Sequence, residues 1–176
     1  MSTSRKPTRA VHALWMTSGL LVALAGGTAH GADACDALTA KVIRATGASL
    51  AGRAGSGAVF RAADAERMSL ACRTPRRMVF GSQAREPERP FFVLVGRAAE
   101  ALAGAKAEAV EVLALTLHQD SLLTGLPREG IVGKAALRCE TGPRDDTLSG
   151  SLTVCIVTPA APLRRRAGLF AERRPG

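Results

Sequence analysis

Apolar positions come in three textures along the chain. From Asp36 to Ala45 they fall at Ala37, Leu38, Val42, Ile43 and Ala45, close to the stripe of one helical face, with Gly47 as a stop. This predicts a short first helix tied at its start by Cys35. From Ser49 to Ser82 the apolar runs shorten to Ser49-Leu50-Ala51, Ala58-Val59-Phe60, Met68 to Cys72 and Met78-Val79-Phe80. Gly55-Ser56-Gly57, Ala63-Asp64-Ala65 and Thr74-Pro75 punctuate them. Short runs cut by Gly, Asp and Pro read as an antiparallel meander of three or four strands.

The third texture begins after a polar loop with two prolines, Gln83 to Pro90. Phe91-Phe92-Val93-Leu94-Val95 leads into alanine-rich sequence, and 97–103 and 106–119 read as helices separated by Gly104. Leu113 to His118 also alternates as a strand would; the alanine content upstream favours helix. Residues 121–133, with Gly125, Pro127, Gly130 and Gly133, read as a loop. Ala135 to Cys139 and Leu152 to Val157 then form the arms of a hairpin around the turn cluster Thr141 to Asp146. No internal repeat, heptad or low-complexity array is present.

The expected fold is therefore α+β: one small domain with an antiparallel sheet of about five or six strands and two or three helices on one face. Leu38, Val42, Phe60, Leu70, Phe80, Leu102, Leu113, Leu137 and Val154 are the expected core.

The first residues change the picture of where this domain works. Arg5, Lys6 and Arg9 precede an apolar stretch, Ala13 to Ala25, and Ala29-His30-Gly31 supplies small residues before Ala32. That order reads as a cleavable export signal over 1–31, cut after Gly31 or, as the alternative, after Ala34. The apolar stretch is shorter than the roughly 20 residues a membrane-spanning helix needs. The division expected is a signal over 1–31, the domain over 32–158, and a basic Pro/Arg-rich tail over 159–176, read as disordered. The destination is periplasmic or secreted.

Charge and composition then narrow the function classes. The formal net charge is +9, but residues 32–163 hold 16 basic and 14 acidic side chains. The domain is nearly neutral, and the excess sits in the leader and in Arg164, Arg165, Arg166, Arg173 and Arg174. The chain has no Tyr, five Phe and one Trp, Trp15, which lies in the leader. So few aromatic platforms argue against carbohydrate binding and against stacking on single-stranded nucleic acid; no nucleic-acid partner is expected.

Four cysteines, Cys35, Cys72, Cys139 and Cys155, all follow the leader and allow three pairings. Sequence alone does not choose among them; Cys139 and Cys155 sit on the two arms of the predicted hairpin, where cross-strand residues approach closely enough for a bridge, so the preferred pairing is that one, with Cys35 to Cys72. No Cys-x-x-Cys occurs, so bridges are the expected use rather than metal or redox chemistry.

Candidate chemistry is sparse. His118 is the one histidine well inside the predicted domain; with Asp120 or Ser121 it could serve a hydrolytic site. One histidine is too few for a catalytic zinc set, which usually needs three protein ligands. A histidine at a helix end beside Gln119 and Asp120 reads as a solvated surface residue. Gly52-Arg53-Ala54-Gly55-Ser56-Gly57 resembles a phosphate loop, but an apolar strand follows it where a helix is required, so it reads as a hairpin turn. Asp145-Asp146 lack the further oxygen ligands of a calcium loop. Glu86, Glu88, Glu100, Glu108 and Glu111 single out no carboxylate pair. Arg73, Arg76 and Arg77 flank Pro75 as a small basic patch at a turn, read as solvated. No catalytic residue, cofactor site or metal site is assigned. The expectation is a non-enzymatic binding or structural module of the cell envelope; the alternative is a small exported hydrolase with its site around His118. Partners are open, with an envelope protein or an anionic surface met by the C-terminal arginines as the options.

Overall fold

Seven antiparallel strands in the order β1-β2-β3-β4-β7-β6-β5 form one sheet, and three helices lie against one face of it. The structure is a computed structural model, and it describes residues 29–161. Helix α1 (Ala29–Thr46) leads into a meander of β1 (Ser49–Ala54), β2 (Gly57–Ala62), β3 (Ala65–Ala71) and β4 (Arg77–Ser82). Helices α2 (Arg89–Ala103) and α3 (Ala107–Thr124) follow, and then β5 (Arg128–Val132), β6 (Ala135–Thr141) and β7 (Thr153–Pro159). The second meander runs back toward the first, so β7 pairs with β4 in the middle of the sheet.

The strand alternation explains why helices occupy one side only. Ala58, Phe60, Met68, Leu70, Met78, Phe80, Leu137, Cys139, Cys155 and Val157 point to one face and are buried. Val42 of α1, Phe91, Phe92 and Val95 of α2, and Val110 and Ala114 of α3 close over them. The opposite face carries Ser69, Val79, Arg138, Glu140 and Ile156, too polar for a second helical layer. Of the expected core, Leu102 and Leu113 are only partly buried and pack against its edge, and Val154 is buried on the opposite, helix-free face, because it alternates with Cys155 along β7.

Several boundaries differ from the expectation. The first helix is longer, and the expected cleavage after Gly31 falls inside it; residues 1–28, the rest of the expected leader, lie outside the described residues. Helix α2 starts at Arg89, with Pro90 in its first turn, where a missing N–H costs nothing. The apolar run Phe91 to Val95 is therefore helical, and Phe91, Phe92, Leu94 and Val95 are buried. The stretch 113–118 is helix, as favoured. Residues 121–133 are not all loop: α3 continues to Thr124, and β5 occupies Arg128–Val132. That edge strand makes the seventh. It pairs on one side only, so its sequence can hold two charges and a glycine.

Gly104 ends α2 at φ 71°, and its N–H bonds back to Glu100 O at 2.9 Å. A left-handed residue there turns the chain into α3 without a side chain's steric cost. Gly96 does different work: a Cβ on it would lie 2.5 Å from Ala107 O. It lets the backbones of α2 and α3 approach at their crossing.

Candidate functional site

Both bridges are those expected. Cys35 joins Cys72 with Cα atoms 5.7 Å apart, tying α1 to the end of β3. Cys139 joins Cys155 at 4.2 Å, directly across the β6–β7 ladder. All four described cysteines are paired, a state suited to an oxidising compartment.

His118 is not the solvated residue expected. It is 4% exposed, because the α3 face that carries it also carries Ala114, Leu117 and Ser121 and packs onto β6. Its ring lies 5.2 Å from that of Phe92. Nδ1 is 3.1 Å from Thr141 Oγ1, and Ser121 Oγ accepts the Thr141 N–H at 2.9 Å. Burial lowers the imidazole pKa, and the Glu86 carboxylate partly offsets this. Asp120 is exposed and makes no hydrogen bond to the ring. Ser121 is committed to the β6 backbone rather than paired with His118 as a nucleophile would be. Sequence spacing missed the burial because Gln119 and Asp120 give the segment a polar look, while the helix turns them to water.

The other singled-out segments resolve simply. Residues 52–57 are the end of β1, a tight turn and the start of β2, as read. Asp146 and Arg144 hold each other within the β6–β7 loop, Nη2 to Oδ2 at 2.5 Å, and Asp146 Oδ1 also takes the Leu148 N–H at 2.8 Å. These bonds hold the Asp146 carboxyl down at about 2 and raise the Arg144 pKa. Glu111 pairs with Arg89 at 2.7 Å; Glu86, Glu88, Glu100 and Glu108 are exposed. Among the described residues no group of three His, Cys, Asp or Glu side chains could hold a metal. Arg164 to Arg174 lie outside the described residues.

The residues that sequence reasoning did not bring together lie on the helix-free face. There the register sets Val79 beside Ile156, and Ile156 beside Arg138. Val154 and Ser69 extend this floor, and the β6–β7 loop folds over it with Arg144, Asp146, Thr147 and Leu148. Arg67 Nη1 donates to Thr147 O at 2.8 Å, and Leu152 N–H to Ser82 O at 2.8 Å, which pins the loop. The result is an open groove of about 480 Å³. Arg138 lies 3.4 Å from Glu140 and 3.7 Å from Glu129, and Arg144 pairs with Glu140 and Asp146. Arg77, at the groove's far end, meets no carboxylate among the described residues.

A second concavity, about 520 Å³, lies against the Cys35–Cys72 bridge, with Asp36, Arg53 and Arg73 around it. Arg53 and Asp36 form an ion pair across it. It borders the first turns of α1, where the side chains of residues 29–33 lie outside those described. No described helix is long and apolar enough to cross a membrane. The chain matches no family model, no curated protein and no solved structure.

Proposed function

We propose that the protein is a non-enzymatic binding module, exported to the periplasm or the cell exterior, that holds its ligand on the helix-free face of its sheet. The groove over Val79, Val154 and Ile156 carries this reading. Its volume falls in the range of about 300–1,000 Å³ common to small-molecule sites. Val79, Val154 and Ile156 form an apolar strip in its otherwise polar lining, and among the described residues Arg77 is its one charge without a partner, which favours a ligand with an apolar part and a carboxylate. Support for export comes from the leader-like order of residues 1–31 and from cysteines that are all bridged.

The competing reading, a small exported hydrolase, needs the His118 imidazole to meet a substrate. Its ring is enclosed by Phe92 and Thr141, and the one hydroxyl it meets, Thr141 Oγ1, is buried with it.

Titration with octanoate, followed by backbone NMR shifts, tests the binding reading. Octanoate is expected to move the resonances of Val79, Val154 and Ile156 more than octanol or octylamine does. Arg77→Gln is expected to remove that preference while leaving the disulfides and fold intact. Equal response to all three probes, or shifts confined elsewhere, would refute the groove. An ester-cleaving activity abolished in folded His118→Ala would establish the hydrolase instead.

A further inference from the structure

In an antiparallel sheet, alternate connections lie at opposite ends, and here they separate by charge. The β1–β2, β3–β4 and β5–β6 turns share one end, with the α2–α3 connection beside them, since Ala105 lies next to Gly133. These connections are residues 55–56, 72–76, 104–106 and 133–134. They carry Arg73, Arg76, Lys106 and Lys134 and no acid, and all four side chains are exposed. Opposite them, residues 63–64, 83–88 and 142–152 carry Asp64, Glu86, Glu88, Asp145 and Asp146 against Arg85 and Arg144. Toward this end lie Asp36, which Arg53 takes, and Glu100 and Glu108, which flank the α2–α3 connection in sequence.

Both segments that flank the described domain also join it at this end. Helix α1 runs in past the Cys35–Cys72 bridge at the β3–β4 turn. The chain leaves β7 beside the β5–β6 turn, where Ala160 N–H donates to Lys134 O at 2.8 Å. Only three residues after Ala161 comes Arg164-Arg165-Arg166.

We propose that this end is a docking surface for an anionic lipid bilayer, with Arg73, Arg76, Lys106 and Lys134 at the headgroups and the acidic end turned away. A bilayer is favoured over a discrete anionic ligand because the four charges lie on separate connections spread across the end of the sheet; of the four, Arg73 alone borders the concavity at the Cys35–Cys72 bridge, where Asp36 and Arg53 already pair. Polybasic surfaces gain from each such charge near an anionic membrane, and salt screens the gain. This surface is separate from the groove and stands whether or not the groove binds a carboxylate.

The test uses the protein purified from its native compartment, with the N-terminus it carries there. Cosedimentation is measured with phosphatidylglycerol-containing vesicles and with pure phosphatidylcholine vesicles, at low and raised salt. Binding is expected only to the former, and it should weaken as salt rises. Arg73→Gln/Arg76→Gln/Lys106→Gln/Lys134→Gln should weaken it at least about tenfold, given a several-fold contribution per charge. A charge-matched control, Lys41→Gln/Arg44→Gln/Arg85→Gln/Arg97→Gln, should bind much as the unaltered protein does. Equal losses in the two variants would reduce the effect to net charge and overturn the proposal. So would a quadruple variant that binds normally, equal binding to both vesicles, or binding to dextran sulfate without binding to anionic vesicles.

Discussion

At the residue scale, His118 shows how a helix decides the environment of a group that its sequence neighbours misrepresent. Gln119 and Asp120 are in water, yet His118 between Leu117 and those residues is sealed against Phe92 and Thr141. Desolvation keeps the imidazole neutral below the pH at which the unfolded chain would protonate it. Protons therefore favour the unfolded state: stability contributed by neutral His118 is complete above about pH 6.5 and declines as pH falls through the lowered folded value. Urea unfolding at pH 7.5 and pH 5 should show a smaller loss on acidification for His118→Gln than for the unaltered protein. The same loss in both would show that the ring takes up its proton without cost. Asp146, by contrast, titrates near 2, so the Arg144–Asp146 rim of the groove keeps its charges in any mild medium.

At the element scale, α3 explains why 113–118 was ambiguous. Val110, Ala114 and Leu117 face the core, but Leu113 and Leu115 are half-buried and Val112 and Leu123 face water. Apolar residues thus surround the helix, and no single period stands out. Strand β5 was illegible for the opposite reason. Its two charges and a glycine resemble a loop, and only pairing with β6 on one side makes them a strand. The α2–α3 crossing yields a prediction in which two effects of known size oppose each other. Replacing Gly96 by Ala gains about 1 kcal/mol of helix propensity. It also forces a methyl against Ala107 O, and overpacking of this kind costs about 1–3 kcal/mol. A net destabilisation of about 1 kcal/mol is expected in urea unfolding; a more stable variant would mean that the helices separate freely.

At the scale of the whole molecule, the bridges and the charge pattern act together on one frame. Cys139–Cys155 staples adjacent strands sixteen residues apart in sequence, and Cys35–Cys72 holds the first helix to the sheet over a separation of 37. In the chain-entropy account a loop of about 15 residues is worth about 3 kcal/mol, and a longer one somewhat more. Paired alanine replacement of Cys139 and Cys155 should therefore cost about 3 kcal/mol, and of Cys35 and Cys72 slightly more. Unchanged urea midpoints in both variants would remove the bridges from the account of stability. The near-neutral total of the domain conceals a segregation: basic turns at one end, acidic loops at the other. Net charge, being a sum, carries no trace of it.

The sequence by itself determined the α+β class, the first meander and the presence of the helices, and it favoured the cysteine pairing across the last hairpin. Each depends on local periodicity, on turn residues or on a short hairpin separation, all of which are written in neighbouring positions. Tertiary structure alone decided the seventh strand, the burial of His118, the groove and the charged ends. Each of those joins residues far apart in the chain: Val79 meets Ile156, and Arg73 shares an end with Lys106 and Lys134. Such adjacency is set by which strand pairs with which. Here that order is fixed when β7 returns to β4 and closes the core over Phe80 and Val157.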